Sequence, residues 1–274
     1  TSRYGPDDTR TQGVFMGTLD GRVACITGGT RGIGLAIAKD FLNEGAKVVV
    51  NGRDEAKAER TLAELDAGDD AFYIPGDVKQ REVCEAIVDG TVDRFGRIDI
   101  LVPNAGGSSG NAPVAELTDE AMQDTLVWNF WHTFWTMRRA FHYMIPQEWG
   151  RVMPVSSVEG KVGKPGLAVY VVSKHAINGL VKSAAHEVGT LGITVNALCP
   201  GAIETDTMIE QGPPAAESMG LTYEGLLDVF ASESAIKRLN GVEEVAAVAT
   251  LLASDAGAGI TGSLISIDGG TAPY

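Results

Sequence analysis

Cysteine is scarce in this chain of 274 residues. The three that occur, Cys25, Cys84 and Cys199, are an odd and scattered set that makes neither a disulfide framework nor a metal-ligand spacing. No apolar run approaches the ~18 uninterrupted residues of a membrane span, and the first residues are too polar for a signal peptide. These shortages predict a protein of the reducing cytoplasm that has no metal site.

Basic residues are also in short supply. Lys and Arg total 22 against 36 Asp and Glu, which leaves a net charge of −14 at pH 7. Such a charge opposes binding to a phosphate backbone or to an anionic membrane surface, so neither nucleic acid nor membrane is expected as a partner. The hydrophobic fraction of 44% is too high for a disordered chain and is sufficient for one sizeable core.

Short apolar runs alternate with amphipathic segments from Arg22 onward. This alternation predicts a mostly parallel sheet that is covered by helices on both faces. No repeat or linker interrupts it, so we expect a single catalytic domain over residues 19–274 behind an N-terminal extension, residues 1–18. The strand-like runs are 23–27, 47–51, 71–74, 98–102, 151–156, 193–198 and 264–267, and the helical segments include 31–43, 54–65 and 81–94.

Residues 202–238 break this regularity. They contain Gly212-Pro213-Pro214 and mix polar with apolar residues without a clear strand pattern. A long excursion between the last two strands is often a mobile cover over a site. We therefore interpret residues 202–238 as a variable substrate cover.

A glycine-rich stretch, TGGTRGIG at residues 27–34, follows the first strand and opens the first helix. The glycines allow a tight turn and a close backbone approach, and the helix N-terminus offers free N–H groups to a pyrophosphate. At the start of a βαβ unit, this pattern predicts dinucleotide binding rather than an ordinary turn.

The end of the second strand favours NADP over NAD. An acidic residue there would bind the ribose hydroxyls and repel a 2′-phosphate, but this chain has Val50-Asn51-Gly52-Arg53. Arg53 and Arg31 are suited to hold the phosphate, because a guanidinium is a planar cation with several donors. Asp54 comes too late to bind the ribose and is interpreted as the N-cap of the next helix. The alternative is that Arg53 is a solvated surface residue.

A tyrosine and a lysine four residues apart, Tyr170 and Lys174, share one face of a helix predicted over 168–190. A phenol has a pKa near ~10 and needs a neighbouring cation to act as an acid or base at neutral pH. Ser156 and Ser157, at the end of the fifth strand, could hold a substrate oxygen beside the phenol. The spacing alone also fits an ordinary amphipathic helix face, so a catalytic role for the pair depends on the other motifs in the chain.

A set of motifs occurs in a fixed order along the chain: residues 27–34, Asp77, Asn104-Ala105-Gly106, Asn129, Ser157, Tyr170, Lys174, Asn196, Pro200-Gly201, Thr205 and Asp268-Gly269-Gly270. In this order they resemble the compact, single-domain branch of the short-chain dehydrogenase/reductase family over about residues 20–270. The resemblance is nearest to bacterial ketoreductases and secondary-alcohol dehydrogenases, including polyketide and 3-oxoacyl ketoreductases. It implies a single Rossmann-like, doubly wound parallel seven-stranded sheet with helices on both faces.

The resemblance also implies roles for these residues. Tyr170 would be the general acid/base that protonates the carbonyl oxygen as hydride arrives, while Lys174 would lower its pKa and hold the nicotinamide ribose. Ser157 would orient the substrate oxygen, and Asn129 would hold a water that links Lys174 to solvent. The cofactor would lie against Gly28, Thr30, Arg31, Gly32, Ile33, Gly34, Arg53, Asp77, Val78, Asn104, Ala105, Gly106, Tyr170, Lys174, Pro200, Gly201, Ile203 and Thr205.

Three positions depart from the family pattern. Pro103 stands where the first of two paired asparagines is usual, Pro154 replaces a frequent asparagine, and His132 replaces a glycine. Because proline is disfavoured in central strands, each proline is expected at a strand end or bulge, unless the local geometry differs from the family's. His132 is interpreted as structural, as are the other three histidines.

Five aromatic residues follow one another at helical spacing: Trp128, Phe130, Trp131, Phe134 and Trp135. This spacing favours the core or a subunit interface over a cofactor-stacking box. The resemblance implies a homotetramer or homodimer, because this helix makes dimer contacts in the family. The nearby Arg138-Arg139 is interpreted as a solvated face, with contact to an acidic carrier protein as the alternative.

Together these observations predict an NADP-dependent oxidoreductase that interconverts a ketone and a secondary alcohol. The cover combines apolar with acidic side chains and has no base before Lys237. It therefore favours a neutral, modestly sized substrate, cyclic or aryl-alkyl. The alternatives are a 3-oxoacyl or polyketide-type ketoreductase on a carrier-bound substrate, and a catalytically idle dinucleotide-binding regulator. The intact set of Ser157, Tyr170 and Lys174 argues against the idle regulator.

Overall fold

The computed structural model describes residues 17–272. Of the predicted N-terminal extension, residues 1–16 lie outside this range. Thr18 is anchored to the body of the protein, since its backbone N–H and its hydroxyl donate to Glu44 Oε2 at 2.7 and 2.8 Å. No helix within residues 17–272 is both long and apolar enough to span a membrane.

Strands and helices alternate along the described chain, as the apolar runs predict. The strands are β1 (Val23–Ile26), β2 (Lys47–Gly52), β3 (Ala71–Pro75), β4 (Ile100–Val102), β5 (Gly150–Val152), β6 (Ile193–Val195), β7 (Ala197–Pro200) and β8 (Leu264–Ile267). The helices are α1 (Gly32–Asn43), α2 (Glu55–Leu65), α3 (Arg81–Phe95), α4 (Asp119–Leu126), α5 (His132–Gln147), α6 (Ala168–Val188), α7 (Asp206–Ser218), α8 (Tyr223–Glu233) and α9 (Val242–Ala253). A π-helical turn, Val127–Trp131, joins α4 to α5.

A parallel sheet runs through the middle of the described chain in the order β3–β2–β1–β4–β5–β6. The strand order reverses between β1 and β4, and such a reversal opens a crevice at the carboxyl ends of the strands. The predicted Rossmann-like, doubly wound parallel sheet is thereby confirmed.

The sixth predicted strand, residues 193–198, is in fact two strands. Asn196 separates them: its amide donates to the Ile260 carbonyl at 2.7 Å and accepts from the Ser263 N–H at 3.1 Å. Beyond Asn196 the chain pairs β7 with β8, while the N–H groups of Asn196 and Leu198 still donate to the Val152 and Pro154 carbonyls at 2.9 and 3.0 Å. A single parallel bridge, Val155 to Leu198, joins this pair to the main sheet.

Both faces of the sheet are buried, which explains why the strands are apolar throughout rather than alternating. Along β1, Ala24 and Ile26 belong to one hydrophobic cluster with Phe41 of α1. Cys25, between them, belongs to a second cluster with Ile177 of α6. Helices α1 and α9 cover the first face, and α3, α5 and α6 cover the second.

Both unexpected prolines lie just beyond strand ends. Pro103 follows the last residue of β4, and Pro154 lies two residues after the end of β5. Proline has no N–H to donate, but both carbonyls still accept: Pro103 from the Val155 N–H at 2.9 Å, and Pro154 from the Leu198 N–H at 3.0 Å. The strand-end expectation is confirmed for both.

The predicted cover folds as two helices, α7 and α8, that pack on each other. Thr205 and Thr222 cap their N-termini through side-chain oxygens. Pro213 and Pro214 lie inside α7, where a proline ordinarily breaks the intrahelical bonding. Close packing explains the glycine at position 212 beside them, because a Cβ there would lie 2.4 Å from the Tyr223 ring.

Candidate active site

A cavity of about 1180 Å³ opens at the carboxyl ends of the strands, beneath α7 and α8. The loops after β1, β2, β3, β4, β5 and β7 all contribute to its wall. Of the residues predicted to hold a cofactor, all but Gly34 line this one cavity. The predicted catalytic residues Ser157, Tyr170 and Lys174 line it as well, whereas Asn129 lies behind the wall.

The glycine-rich loop presents backbone rather than side chains to the cavity. Gly32, with φ at +51°, opens α1 in a conformation that residues with a Cβ rarely adopt. Gly34 lies behind the loop, where a Cβ would come within 2.5 Å of both Asn104 Nδ2 and the Gly28 carbonyl oxygen. The first N–H groups of a helix lack partners one turn back, and Gly32 and Ile33 at the start of α1 line this end of the cavity.

Buried hydrogen bonds connect the glycine-rich loop to the loop after β4. Thr27 Oγ1 accepts from the N–H groups of Asn104, at 3.0 Å, and Ala105, at 3.2 Å. Its own proton is left for His132 Nε2, at 2.8 Å. The ring proton of His132 must then reside on Nδ1, which lies 3.2 Å from the Trp128 carbonyl oxygen.

His132, the residue in place of a glycine, is therefore a structural histidine in a neutral form. It is fully buried. Burial first and the charge of Lys174 second lower its pKa to about 3, against backbone hydrogen bonds that act in the opposite direction. The extra bulk is absorbed by contacts that tie the glycine-rich loop to the π-helical turn around Asn129.

Three cations line the cavity beside the end of β2: Arg31, Arg53 and Lys57. Arg31 Nη1 pairs with Glu210 of α7 at 3.0 Å, and Arg53 Nη1 lies 3.9 Å from Asp77. Both arginine side chains are at least one-third exposed, so these pairs are weak and exchangeable.

The carboxylate next in sequence does not join these cations. The Asp54 side chain accepts from the Lys57 N–H at 3.0 Å and caps α2, as predicted. No acidic residue stands within β2 itself. The donors at this end of the cavity therefore fit an anionic group on a bound dinucleotide.

Ser157, Tyr170 and Lys174 meet near the middle of the cavity. Lys174 is 3% exposed, donates to the Val155 carbonyl at 2.9 Å, and lies 5.3 Å from the Tyr170 ring centroid. The Ser157 hydroxyl donates to the Glu159 carboxylate, and the Glu159 N–H donates back to Ser157 Oγ at 3.3 Å.

Burial dominates the titration of this group. It raises the pKa of Tyr170 well above its usual value; the Glu159 charge raises it further, and a hydrogen bond with Ser157 lowers it. Burial lowers the pKa of Lys174 to about 8, against the charge of Glu159. Lys174 is not among the groups that shift the Tyr170 pKa in this structure, so the lowering of that pKa by Lys174 stays a prediction.

Asn129 secures the cavity wall from behind. Its amide donates to the carbonyls of Gly107, at 2.7 Å, and Thr125, at 2.8 Å, and its oxygen accepts from the Gly107 N–H at 3.2 Å. A Cβ on Gly106 would lie 2.4 Å from Asn129 Oδ1 and 3.6 Å from Lys174 Nζ, so these three residues adjoin. The water assigned to Asn129 stays a prediction.

Comparison with known proteins decides the family. A family model described as short chain dehydrogenase matches residues 22–215, more than half of the chain. The chain belongs to this family. It is accordingly an oxidoreductase that acts on CH–OH or C=O groups.

Its relatives in the short-chain dehydrogenase family cover nearly all of the chain. D-beta-hydroxybutyrate dehydrogenase of Rhizobium meliloti is 36% identical over 253 residues, 91% of this chain and 98% of that protein. A putative ketoacyl reductase of the monensin polyketide synthase from Streptomyces virginiae is 38% identical over 256 residues, 91% of this chain and 96% of the relative. The crystal structure of an actinorhodin polyketide ketoreductase variant with NADPH matches with a TM-score of 0.88 and 34% identity, over 94% of this chain and 100% of that one.

Several residues of the cavity wall were not expected there from the sequence, and three of them bear on the chemistry of the site. Lys57 lies in α2 and lines the cavity together with the two predicted arginines. Its position four residues after Arg53 could have indicated this. Trp128 lines the cavity beside Gly107 and also packs against the second hydrophobic cluster, as the expected core position requires. Glu159 stands two residues after Ser157, and nothing in the sequence alone tells whether it faces the serine or water.

Proposed function

We propose that this protein interconverts a ketone and a secondary alcohol with NADP as the hydride carrier. The observation that carries the proposal is that Ser157, Tyr170 and Lys174 line the same cavity as the glycine-rich loop. A bound nicotinamide dinucleotide would supply or accept the hydride. The proton has to be moved by the protein, and Tyr170 is the acid within this part of the cavity.

Each side chain has a defined task in the reduction direction. Tyr170, whose raised pKa keeps its proton through neutral pH, donates that proton to the carbonyl oxygen. The Ser157 hydroxyl holds the same oxygen in place. Lys174, anchored on Val155, contributes positive charge beside the phenol. Asn129 fixes the loop that adjoins Lys174 and is proposed to hold a water that replenishes the proton.

The preference for NADP rests on the cations at the end of β2. Arg31, Arg53 and Lys57 together offer guanidinium and ammonium donors, and guanidinium suits a phosphate through paired hydrogen bonds. An NAD-binding site of this fold instead uses an acidic residue on the ribose hydroxyls. The structure of a family relative with NADPH supports the same choice.

Initial rates over a panel of ketones and alcohols test this function, with NADP(H) and NAD(H) measured side by side. We expect turnover of neutral cyclic or aryl-alkyl substrates, and a kcat/KM for NADPH about tenfold or more above that for NADH. Arg53→Ala should reduce that preference by about tenfold through loss of a charge-assisted hydrogen bond. Arg60→Ala, on the exposed face of α2, is the matched control. Tighter use of NADH than of NADPH would contradict the assignment.

A carrier-bound 3-oxoacyl substrate is the second candidate, since two of the relatives are named as ketoreductases of polyketide synthesis. Arg138 and Arg139, the basic pair considered for contact with an acidic carrier, already form ion pairs within the protein. Arg138 pairs with Glu85 at 2.9 Å, and Arg139 pairs with Asp89 at 2.5 Å. Turnover restricted to CoA or carrier-protein thioesters would select this candidate over the first.

We further propose a homodimer or homotetramer. Phe130, Trp131, Phe134 and Trp135 form one cluster of stacked and edge-to-face ring contacts, and Trp131 remains 37% exposed. A half-exposed aromatic cluster of this kind is typical of a subunit interface. Light scattering that gives the mass of a single protomer would contradict it. The cytoplasmic location stays a prediction.

A further inference from the structure

Glu159 places a carboxylate inside the substrate half of the cavity. It lies on a short 3₁₀ turn, Val158–Gly160, immediately after Ser157, and it lines the same cavity as Tyr170. It is half-buried, so it is neither a surface charge nor sealed in the core. Two hydrogen bonds, one in each direction, hold it against Ser157.

No neighbouring cation pairs directly with this carboxylate, and the charge of Lys174 reaches it only at longer range. Lys164, on the same loop, is held by Glu233 of α8 at 2.9 Å and lies 4.6 Å from the Phe230 ring centroid. Lys174 donates to the Val155 carbonyl. Within residues 17–272, no ion pair to Glu159 occurs at 4.0 Å or less. A substrate carboxylate at this wall would therefore meet repulsion, whereas a hydrogen-bond donor would be attracted.

The Ser157 hydroxyl cannot donate to Glu159 and to a substrate oxygen at the same time. A hydroxyl has one proton to donate, and in this structure the proton goes to Glu159. When Ser157 turns that proton toward a substrate oxygen, Glu159 loses a donor. Leaving a half-buried carboxylate without its donor is costly. A substrate that brings its own donor beside the reacting carbon removes the cost.

We propose that Glu159 selects substrates that carry a hydrogen-bond donor, a hydroxyl or an ammonium group, on the carbon next to the reacting one. The preferred substrates are then vicinal hydroxy or amino ketones and the corresponding alcohols, which names a substrate class within the proposed function and rests on it. A carboxylate at the same position is excluded.

Matched six-membered rings test this selection. Cyclohexanol, cyclohexane-1,2-diol, 2-aminocyclohexanol and 2-hydroxycyclohexanecarboxylate are oxidised with NADP⁺ by the wild type and by Glu159→Gln. For the wild type we expect kcat/KM for the diol or the amino alcohol to exceed that for cyclohexanol by about tenfold, as for a hydrogen bond to a charged group. The carboxylate should be the poorest of the four. The diol and amino alcohol arms distinguish a hydroxyl from an ammonium donor.

Glu159→Gln should reduce the preference for the donor-bearing rings by about tenfold, mainly through KM, and should raise the rate with the carboxylate. The rise of the oxidation rate with pH should also begin at lower pH, because the charge that raises the Tyr170 pKa is gone. Glu217→Gln, an exposed carboxylate on α7 outside the cavity, is the matched control and should change none of these ratios.

The outcomes separate the two proposals. Oxidation of cyclohexanol as fast as of the diol and the amino alcohol, or a preference that survives in Glu159→Gln, overturns the role of Glu159 and leaves the proposed function standing. Failure to oxidise any of the four rings, together with turnover of thioesters alone, overturns the proposed function and the role of Glu159 with it.

Discussion

The two halves of the cavity are built in different ways. The cofactor half consists of strand ends and backbone, locked by the buried hydrogen bonds of Thr27 with Asn104 and His132. The substrate half is closed by α7 and α8. Half-exposed ion pairs, Arg31–Glu210 at 3.0 Å among them, connect these two helices to the rest of the protein. A fixed half can serve one shared reaction, while a loosely attached half can vary with the substrate.

The largest effect should come from filling the fixed half. Gly34→Ala puts a Cβ within 2.5 Å of Asn104 Nδ2 and the Gly28 carbonyl oxygen, so backbone has to shift. We expect affinity for both NADPH and NADH to fall by about a hundredfold or more, since close packing transmits such a shift across the loop. Isothermal titration measures it. Gly179→Ala, with nothing within 4 Å of the added methyl, is the matched control. Unchanged affinity would show that this half is more pliable than its hydrogen bonds suggest.

The buried histidine gives the fixed half a pH signature. Because the pKa of His132 is lowered to about 3, the unfolded chain binds its proton first as pH falls from about 6.5. Stability contributed by neutral His132 is therefore present above that pH and is lost toward pH 3, at up to about 1.4 kcal/mol per pH unit. His132→Asn should lower the free energy of unfolding at neutral pH, and its difference from the wild type should shrink on acidification. Urea titrations at several pH values measure this, and a constant difference would contradict it.

The smallest effect should come from loosening the cover. Glu210→Gln frees Arg31 from its partner on α7, and an exposed ion pair is worth at most about 1 kcal/mol. NADPH should therefore bind a few-fold more tightly, while NADH should be unaffected. Fluorescence titration distinguishes the two cofactors. Glu217→Gln on the same helix is the control, and an equal gain for NADH would remove Arg31 from the phosphate site.

Sequence reasoning was successful where structure follows from local chemistry. The parallel sheet, the N-cap at Asp54 and the strand-end prolines Pro103 and Pro154 all depend on backbone rules within a few residues. The glycine-rich loop and the residues around Tyr170 meet in one cavity because strand ends meet at one edge of a sheet.

Prediction from the sequence failed where a structural feature depends on contacts between residues that are far apart in the chain. Asn196 splits a strand by bonding to Ile260 and Ser263, more than sixty residues away. α7 forms in spite of Pro213-Pro214 because it packs on α8, and such tertiary support is invisible in local propensity. Glu159 was missed for a different reason: its partner Ser157 is only two residues away, but a carboxylate at that spacing faces the serine or water with equal ease.

Replacement of the phenol tests the central claim, that Tyr170 supplies the proton from its place beside Ser157 and Lys174. Tyr170→Phe keeps the ring and removes only the hydroxyl. The account predicts that kcat for ketone reduction falls by about 10²–10⁴ while the Kd for NADPH stays within about twofold. It also predicts that the wild-type rate holds through neutral pH and declines only on the alkaline side, because the raised pKa retains the proton. Undiminished reduction by Tyr170→Phe, on substrates that the wild type turns over, would contradict the account.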